Sequence, residues 1–350
     1  MKGKSSVVGG GGGSTAAAAA KAADESGPYR TEQATDGVCG YCGKAAVDDV
    51  KLKKCACKLV GYCCVECQTS HQPHHKKACK KRLAEIRDVV LFTQPDESFL
   101  GECPICFLPL PLDMMKSIIN TCCSKRICDG CCHADDLRME REGVAKRCLF
   151  CREPLPKTVD EANHVKRAKA NGPLALCEMA KTRYHEGDYE GAFEYFAKAA
   201  ALGHIDAHFN LSILYQLGKG VEKDMKKEMY HLEEAAIGGH PTARRSLGAY
   251  ETRNGRKDRA VKHFMIAAKL GYDDALDQVK YWFQGGHVNK EDYEAALRGY
   301  QAAVDATKSE QREAAYAFHN LSPEERRQYC HSLRRSWFFE AFMDEYLNDD

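Results

Sequence analysis

From about residue 173 the chain repeats a pattern of apolar and polar positions. Ala175, Ala207, Ala243 and Ala275 are each followed four places on by an apolar residue: Met179, Leu211, Leu247 and Val279. Later in each unit comes an alanine pair, at Ala199–Ala200, Ala235–Ala236, Ala267–Ala268 and Ala302–Ala303. In the first three units a glycine follows, Gly203, Gly239 and Gly271, and the period is 32 to 36 residues. Positions i and i+4 share one face of a helix. Alanines let two helices approach closely, and glycine ends a helix in the left-handed conformation. The pattern therefore predicts helical hairpins over residues 173–306. No hairpin can bury its own apolar face, so the units are expected to stack into a solenoid. Tyr184, Tyr215, Trp282 and Phe283 are expected in the inter-repeat core.

The flanks read differently. Residues 1–35 are dominated by Gly, Ala and Ser, which cannot build a core, and are expected to form a flexible tail. Five glycines interrupt the apolar stretch where a signal peptide needs an unbroken run. No apolar run approaches the ~20 residues that span a bilayer. The expected setting is thus a reducing intracellular compartment, cytoplasmic or nuclear, with no membrane partner. Residues 307–350 are expected to cap the array with amphipathic helix. Ser322 is the predicted N-cap, Pro323 takes the first position, and Glu324 and Glu325 fill the first turn. The "WFFEAFM" run further on reads either as part of this cap or as a partner-binding patch.

Fifty-one basic residues face fifty acidic ones. This balance argues against nucleic acid as a partner. The one basic run, "HHKKACKKR" at 74–82, reads as the solvated edge of a cysteine-rich module.

Cysteine changes the picture most. Seventeen of nineteen lie between Cys39 and Cys151. At that density in a reducing compartment they read as metal ligands rather than disulfides. Residues 39–79 hold Cys39-x-x-Cys42, Cys55-x-Cys57, Cys63-x-x-x-Cys67 and His75-x-x-x-Cys79, enough for two tetrahedral zinc ions. About forty residues cannot fold on apolar burial alone, so metal must supply most of the driving force.

The order of pairs, the "YCCVECQ" core and the seven residues between Cys67 and His75 resemble a MYND-type zinc finger. That resemblance implies interleaved sites: Cys39, Cys42, Cys63 and Cys67 on one zinc, and Cys55, Cys57, His75 and Cys79 on the other. It also implies binding of short proline-containing peptides. Two positions depart from the family: the second pair is CxC where CxxC is usual, and Gln72 stands where a tryptophan is common. His71 and His74 are extra imidazoles expected to be exposed, and Cys64 fits no ligand slot. The SET-domain signature of some methyltransferases that carry this finger is missing downstream.

Residues 103–151 hold Cys103-x-x-Cys106, the doublet Cys122–Cys123, Cys128-x-x-Cys131 and Cys148-x-x-Cys151. This block resembles an all-cysteine RING finger. Its cross-braced pattern implies one zinc on Cys103, Cys106, Cys128 and Cys131, and another on Cys122, Cys123, Cys148 and Cys151. Cys132 and His133 are close enough to the doublet to stand in as ligands. In RING-type ubiquitin ligases an apolar residue between the first two cysteines and a cation after the last one touch the conjugating enzyme. Ile105 and Arg152 occupy those places, whereas the usual proline of the last pair is Leu149. Such a ligase has no nucleophile of its own and works by orienting a charged thioester, so no catalytic residue is expected.

The unit at 207–240, with its Gly-x-Gly-Val turn and Asp224, resembles a Sel-like repeat, a relative of tetratricopeptide repeats that implies a groove for protein segments. The whole order resembles a multi-copy family of algal proteins. The expected fold is multidomain: two small cross-braced zinc modules followed by an all-α solenoid. Its parts are a tail (1–35), a MYND-type finger (36–82), a helical linker (83–100), a RING-like finger (101–157), a second linker (158–172), repeats (173–306) and a cap (307–350). The expected cofactor is structural Zn2+, about four per chain. Two functions remain open: a RING-type ubiquitin ligase using the repeats to select substrate, and a non-catalytic adaptor.

Overall fold

The protein is seen as a computed structural model that describes residues 37–46, 51–96, 98–154, 166, 170, 172–322 and 324–325. The chain divides into two compact units, Met1–Val89 and Val90–Asp350. The expected tail, most of the 158–172 linker and the "WFFEAFM" run lie outside the described residues.

The first unit is built on a short antiparallel hairpin, β1 (Lys53–Lys54) and β2 (Gly61–Tyr62), and on helix α1 (Val65–Leu91). Its small core joins Val60 and Tyr62 to Cys39 and Cys67. The segment expected to be a helical linker is helical only as far as Leu91, because α1 runs from the finger without a break.

The second unit opens with a second cysteine-rich module, in which β3 (Ser117–Asn120) and β4 (Lys125–Cys128) pair antiparallel and lead into α2 (Asp129–Glu142). Its core is Leu110 and Ile127 packed among Cys103, Cys128 and Cys131.

Nine helices follow among the described residues: α3 (Pro173–His185), α4 (Tyr189–Ala201), α5 (Ile205–Leu217), α6 (Met225–Ile237), α7 (Pro241–Arg253), α8 (Lys257–Lys269), α9 (Asp273–Gln284), α10 (Lys290–Ala306) and α11 (Glu310–Asn320). Consecutive helices pack as pairs, α3 with α4, α5 with α6, and α7 with α8. All four alanines and their i+4 apolar partners are buried, which is what packs one pair on the next. The glycines after α4, α6 and α8 adopt positive φ. At Gly203 the amide donates to Ala200 O, and His204 N–H donates to Ala199 O, closing the helix end. Asp224 caps α6 through Lys226 N and Lys227 N. Gly220 has no room for a side chain, since a Cβ would meet the carbonyl of Tyr189.

The fourth pair departs from the pattern. Ala302 is exposed and Ala303 half-buried, while Ala296 carries the buried contact. Ala303 faces Gly271 at the end of α8, while no further hairpin stacks over Ala302 among the described residues. Tyr215 and Trp282 are buried as expected, Tyr184 and Phe283 only half so. Tyr184 accepts a hydrogen bond from Lys219 Nζ at 3.2 Å, and Phe283 stacks on Tyr293 at 4.4 Å.

Arg244 of α7 is fully buried. Its guanidinium donates to the carbonyls of Leu91 and Thr93, which belong to the same unit. Ser322 and Glu325 bond reciprocally, amide to side chain, in a capping box.

Candidate metal centres

Four groups of Cys and His side chains converge among the described residues, each with its donor atoms within 4.8 Å of one another. They are Cys39, Cys42, Cys63 and Cys67; Cys55, Cys57, His75 and Cys79; Cys103, Cys106, Cys128 and Cys131; and Cys122, Cys123, Cys148 and Cys151. The structure thus brings together all sixteen residues that the spacing singled out, in the interleaved grouping.

Local backbone explains how. In the first module Cys39 N–H donates to Lys44 O, and Gly43 N–H returns to Cys39 O, a tight knuckle that turns both thiols inward. The shortened pair closes differently. Cys55 N–H donates to Val60 O, Lys58 N–H to Cys55 O, and Lys58 takes a φ of 60°. Helix α1 supplies Cys67, His75 and Cys79 at helical spacing. Cys57 Sγ then lies 3.1 Å from His75 Nε2, and Cys55 Sγ 3.6 Å from Cys79 Sγ. The CxC pair still brings both thiols to one point, with the same left-handed residue after its second cysteine that the CxxC knuckles have.

The second module repeats the device. Phe107 N–H donates to Cys103 O, and Arg152 N–H to Cys148 O. The doublet sits in the β3–β4 turn, where Ser124 N–H donates to Asn120 O. Cys122 and Cys123 both face one site, at 3.3 Å from Cys151 and 3.7 Å from Cys148. Among the described residues, the non-glycine residues with positive φ are Lys58, Phe107, Ser124 and Arg152. Every one directly follows a cysteine of these groups. Left-handed backbone costs an ordinary residue ~1–2 kcal/mol, and such strain persists only where the surroundings demand it. Sulfur ligands at a fixed point are such a demand.

The distances fit zinc. Zn–S bonds of ~2.3 Å place tetrahedral sulfurs ~3.8 Å apart. The sulfur pairs lie at 3.5, 3.6, 3.6, 3.9, 3.7, 3.7 and 3.3 Å. A disulfide would need ~2.05 Å. With four protein donors each, the groups are of the closed, structural kind. Burial holds His75 below the usual imidazole range, in the neutral form a metal requires. Burial also pushes the Cys79 and Cys131 thiols up to about 12, so a bound cation is what would keep thiolates there.

His71, expected to be exposed, is buried. Its Nδ1 lies 3.1 Å from Tyr62 OH and its ring stacks on His75 at 5.6 Å, because the i+4 position on α1 places it beside the ligand. His74 is exposed. Cys64 Sγ accepts from Cys67 N–H at 3.5 Å and thus caps α1. Cys132 and His133 join no group: Cys132 packs beside the core of the second module, and the His133 ring lies 4.6 Å from Phe318. Ile105 and Leu149 each pack against that same core. Arg152 is exposed.

Sequence reasoning missed one set of residues. Helix α11 lies across α2. His319 Nδ1 is 3.1 Å from Asp129 Oδ2, and Lys116 Nζ lies 5.0 Å over the Tyr316 ring. Arg312 donates to the carbonyls of Leu108 and Pro109 and reaches Cys106. The one available signal was Gly130 in the first turn of α2, where a Cβ would fall 2.7 Å from Arg312 N.

Residues 39–79 match the family model of the MYND finger. The first module is a MYND finger. The chain is also similar to an uncharacterized protein of Neisseria meningitidis serogroup B, 31% identical over 140 residues, 39% of this chain and 30% of that protein. The chain thus spans under a third of the curated relative it matches. A protective antigen of uropathogenic Escherichia coli with an SLR fold is 28% identical, with a TM-score of 0.36, over 43% of this chain and 34% of that one. A Sel1 repeat protein from Oxalobacter formigenes is 25% identical, with a TM-score of 0.37, over 48% and 52%. Among the described residues no helix is long and apolar enough to cross a membrane.

Proposed function

We infer that the chain is an intracellular protein-interaction scaffold organised by four structural zinc ions, with no catalytic step of its own. Cys39, Cys42, Cys63 and Cys67 hold the first ion, and Cys55, Cys57, His75 and Cys79 the second. The RING-like finger holds the third through Cys103, Cys106, Cys128 and Cys131, and the fourth through Cys122, Cys123, Cys148 and Cys151. The MYND finger and the Sel-like array each receive segments of partner proteins. The observation that carries the scaffold reading is the seating of α11 across α2: it makes the second finger part of the same body as the repeats. Ile105 and Leu149 add to it, since both serve the finger's core.

A second reading, the RING-type ubiquitin ligase, is favoured by Arg152, which stands exposed at the tip of the last knuckle. One assay separates them. The zinc-loaded chain is incubated with ubiquitin, activating enzyme and a panel of conjugating enzymes. The scaffold reading expects no discharge with any of them. Ubiquitin chains that vanish in both Ile105→Ala and Arg152→Ala would establish the ligase instead.

A further inference from the structure

A groove of about 960 Å³ runs between the second finger and the far end of the array. Pro109, Pro111 and Leu112 form its wall on the finger side, and Leu270, Tyr300 and Ala303 its wall on the helical side. Its charge is one-sided. Asp96, Glu102, Asp113, Asp273 and Asp274 line it, against Lys116 and Lys269. The chain as a whole carries a net charge of only +1, so the acidity belongs to the groove and not to the surface at large.

The carboxylates are held apart on both walls. Tyr300 OH donates to Asp273 Oδ1 at 2.5 Å, and Tyr272 OH to Asp274 Oδ2 at 3.2 Å, where Arg245 Nε also lies 3.6 Å away and offsets that carboxylate. Asp113 accepts from Met115 N–H and lies 3.8 Å from Lys116. Asp96 and Glu102 are exposed and have no ion pair among the described residues. These groups do not close on one point, as the four cysteine groups do, so the groove is not shaped for a metal ion. Its volume is at the upper end of ligand sites, which run ~300–1,000 Å³. Proline and tyrosine walls with carboxylates spaced along both sides suit an extended chain bearing repeated positive charge.

We propose that this groove binds an extended segment of a partner protein carrying at least two arginine or lysine residues, with Asp96 and Glu102 pairing to them. The proposal names a site and a partner chemistry for the scaffold reading and rests on that reading only for its biological sense. It stands whether or not the finger discharges ubiquitin, so the two can fail separately.

The test uses the full zinc-loaded chain and a short fluorescein-labelled peptide in which arginine alternates with serine, followed by anisotropy. Its counterpart with glutamate in place of arginine serves as the control. Saturable binding of the arginine peptide alone is expected. Asp96→Lys with Glu102→Lys should weaken it at least ~tenfold, equivalent to about 1.4 kcal/mol. Glu190→Lys with Glu194→Lys makes the same charge change on the exposed face of α4 and should leave the affinity within ~twofold. Zinc content and far-UV circular dichroism verify that both variants fold. No saturable binding, or equal losses in the two double variants, would overturn the proposal.

Discussion

Arg312 Nη2 lies 3.4 Å from Cys106 Sγ, while its Nη1 donates to the carbonyl of Pro109 at 2.7 Å. A zinc ion held by four thiolates carries excess negative charge, and a guanidinium beside one of them both offsets that charge and fixes the knuckle. Groups that hydrogen-bond metal ligands in this way are worth ~10–100-fold in metal affinity. Arg312→Ala is expected to speed chelator-driven zinc loss from one site of the second finger by about that factor. The MYND finger should be unaffected. Uniform loss from all sites, or no change, would remove Arg312 from the account.

Gly130 gives a test in which local and long-range effects have opposite signs. Ala is the better helix former by ~1 kcal/mol, so Gly130→Ala should stabilise α2 if nothing else touched it. A Cβ there would meet the backbone of Arg312 at 2.7–2.8 Å. The variant is therefore expected to lose ~1–3 kcal/mol in denaturant unfolding and to expose α11 to proteolysis. A gain in stability would mean that α11 does not sit on α2.

Phe107 is 70% exposed with a φ of 57°, so its side chain contributes little while its backbone is strained. Phe107→Gly should raise stability by ~0.5–1 kcal/mol, and Phe107→Ala should not. Thermal unfolding of the zinc-loaded chain measures both. A loss on changing to glycine would show that the knuckle is not strained.

His263 is fully buried beside Phe92, and neither ring nitrogen has a hydrogen-bond partner among the described residues. Burial, with Arg244 and Arg259 adding like charge, drives its pKa down to about 3. An unfolded histidine titrates near ~6.5. Between these values the unfolded chain binds the proton and the folded chain does not, so stability falls as pH drops from about 6.5 towards 3. The slope from this one group approaches ~1.4 kcal/mol per pH unit. Zinc ligands also take up protons in acid, so the readout is a difference: His263→Leu should flatten the profile relative to the parent between about pH 6.5 and 5. Parallel profiles would contradict it.

Much of this was legible because it is local. The alanine-led i, i+4 positions bury as the pattern requires, since helical period alone sets them. Cysteine spacing marked the pairs, since a knuckle needs only a few residues, and the resemblance to MYND and RING fingers supplied their interleaving into four groups. What could not be read depends on distant partners. Arg312 and Cys106 are separated by most of the array, and nothing in "QREAAY" says that its arginine faces a thiolate. His71 read as surface because its partner, Tyr62, sits in a different element, on β2, and only the turn from that strand into α1 brings the two together. Ala302 and Ala303 carry the repeat signature but not its burial, because burial depends on a neighbour that the pattern does not contain.

The most direct test of the account is a zinc count on the full chain, by elemental analysis of protein purified without chelator, alongside Cys57→Ser and Cys122→Ser. Four zinc ions per chain are predicted, falling to about three in each variant, because each removes a ligand from a different site. Two or fewer in the parent chain, or variants that keep all four, would contradict the assignment of these sixteen residues to four structural metal centres.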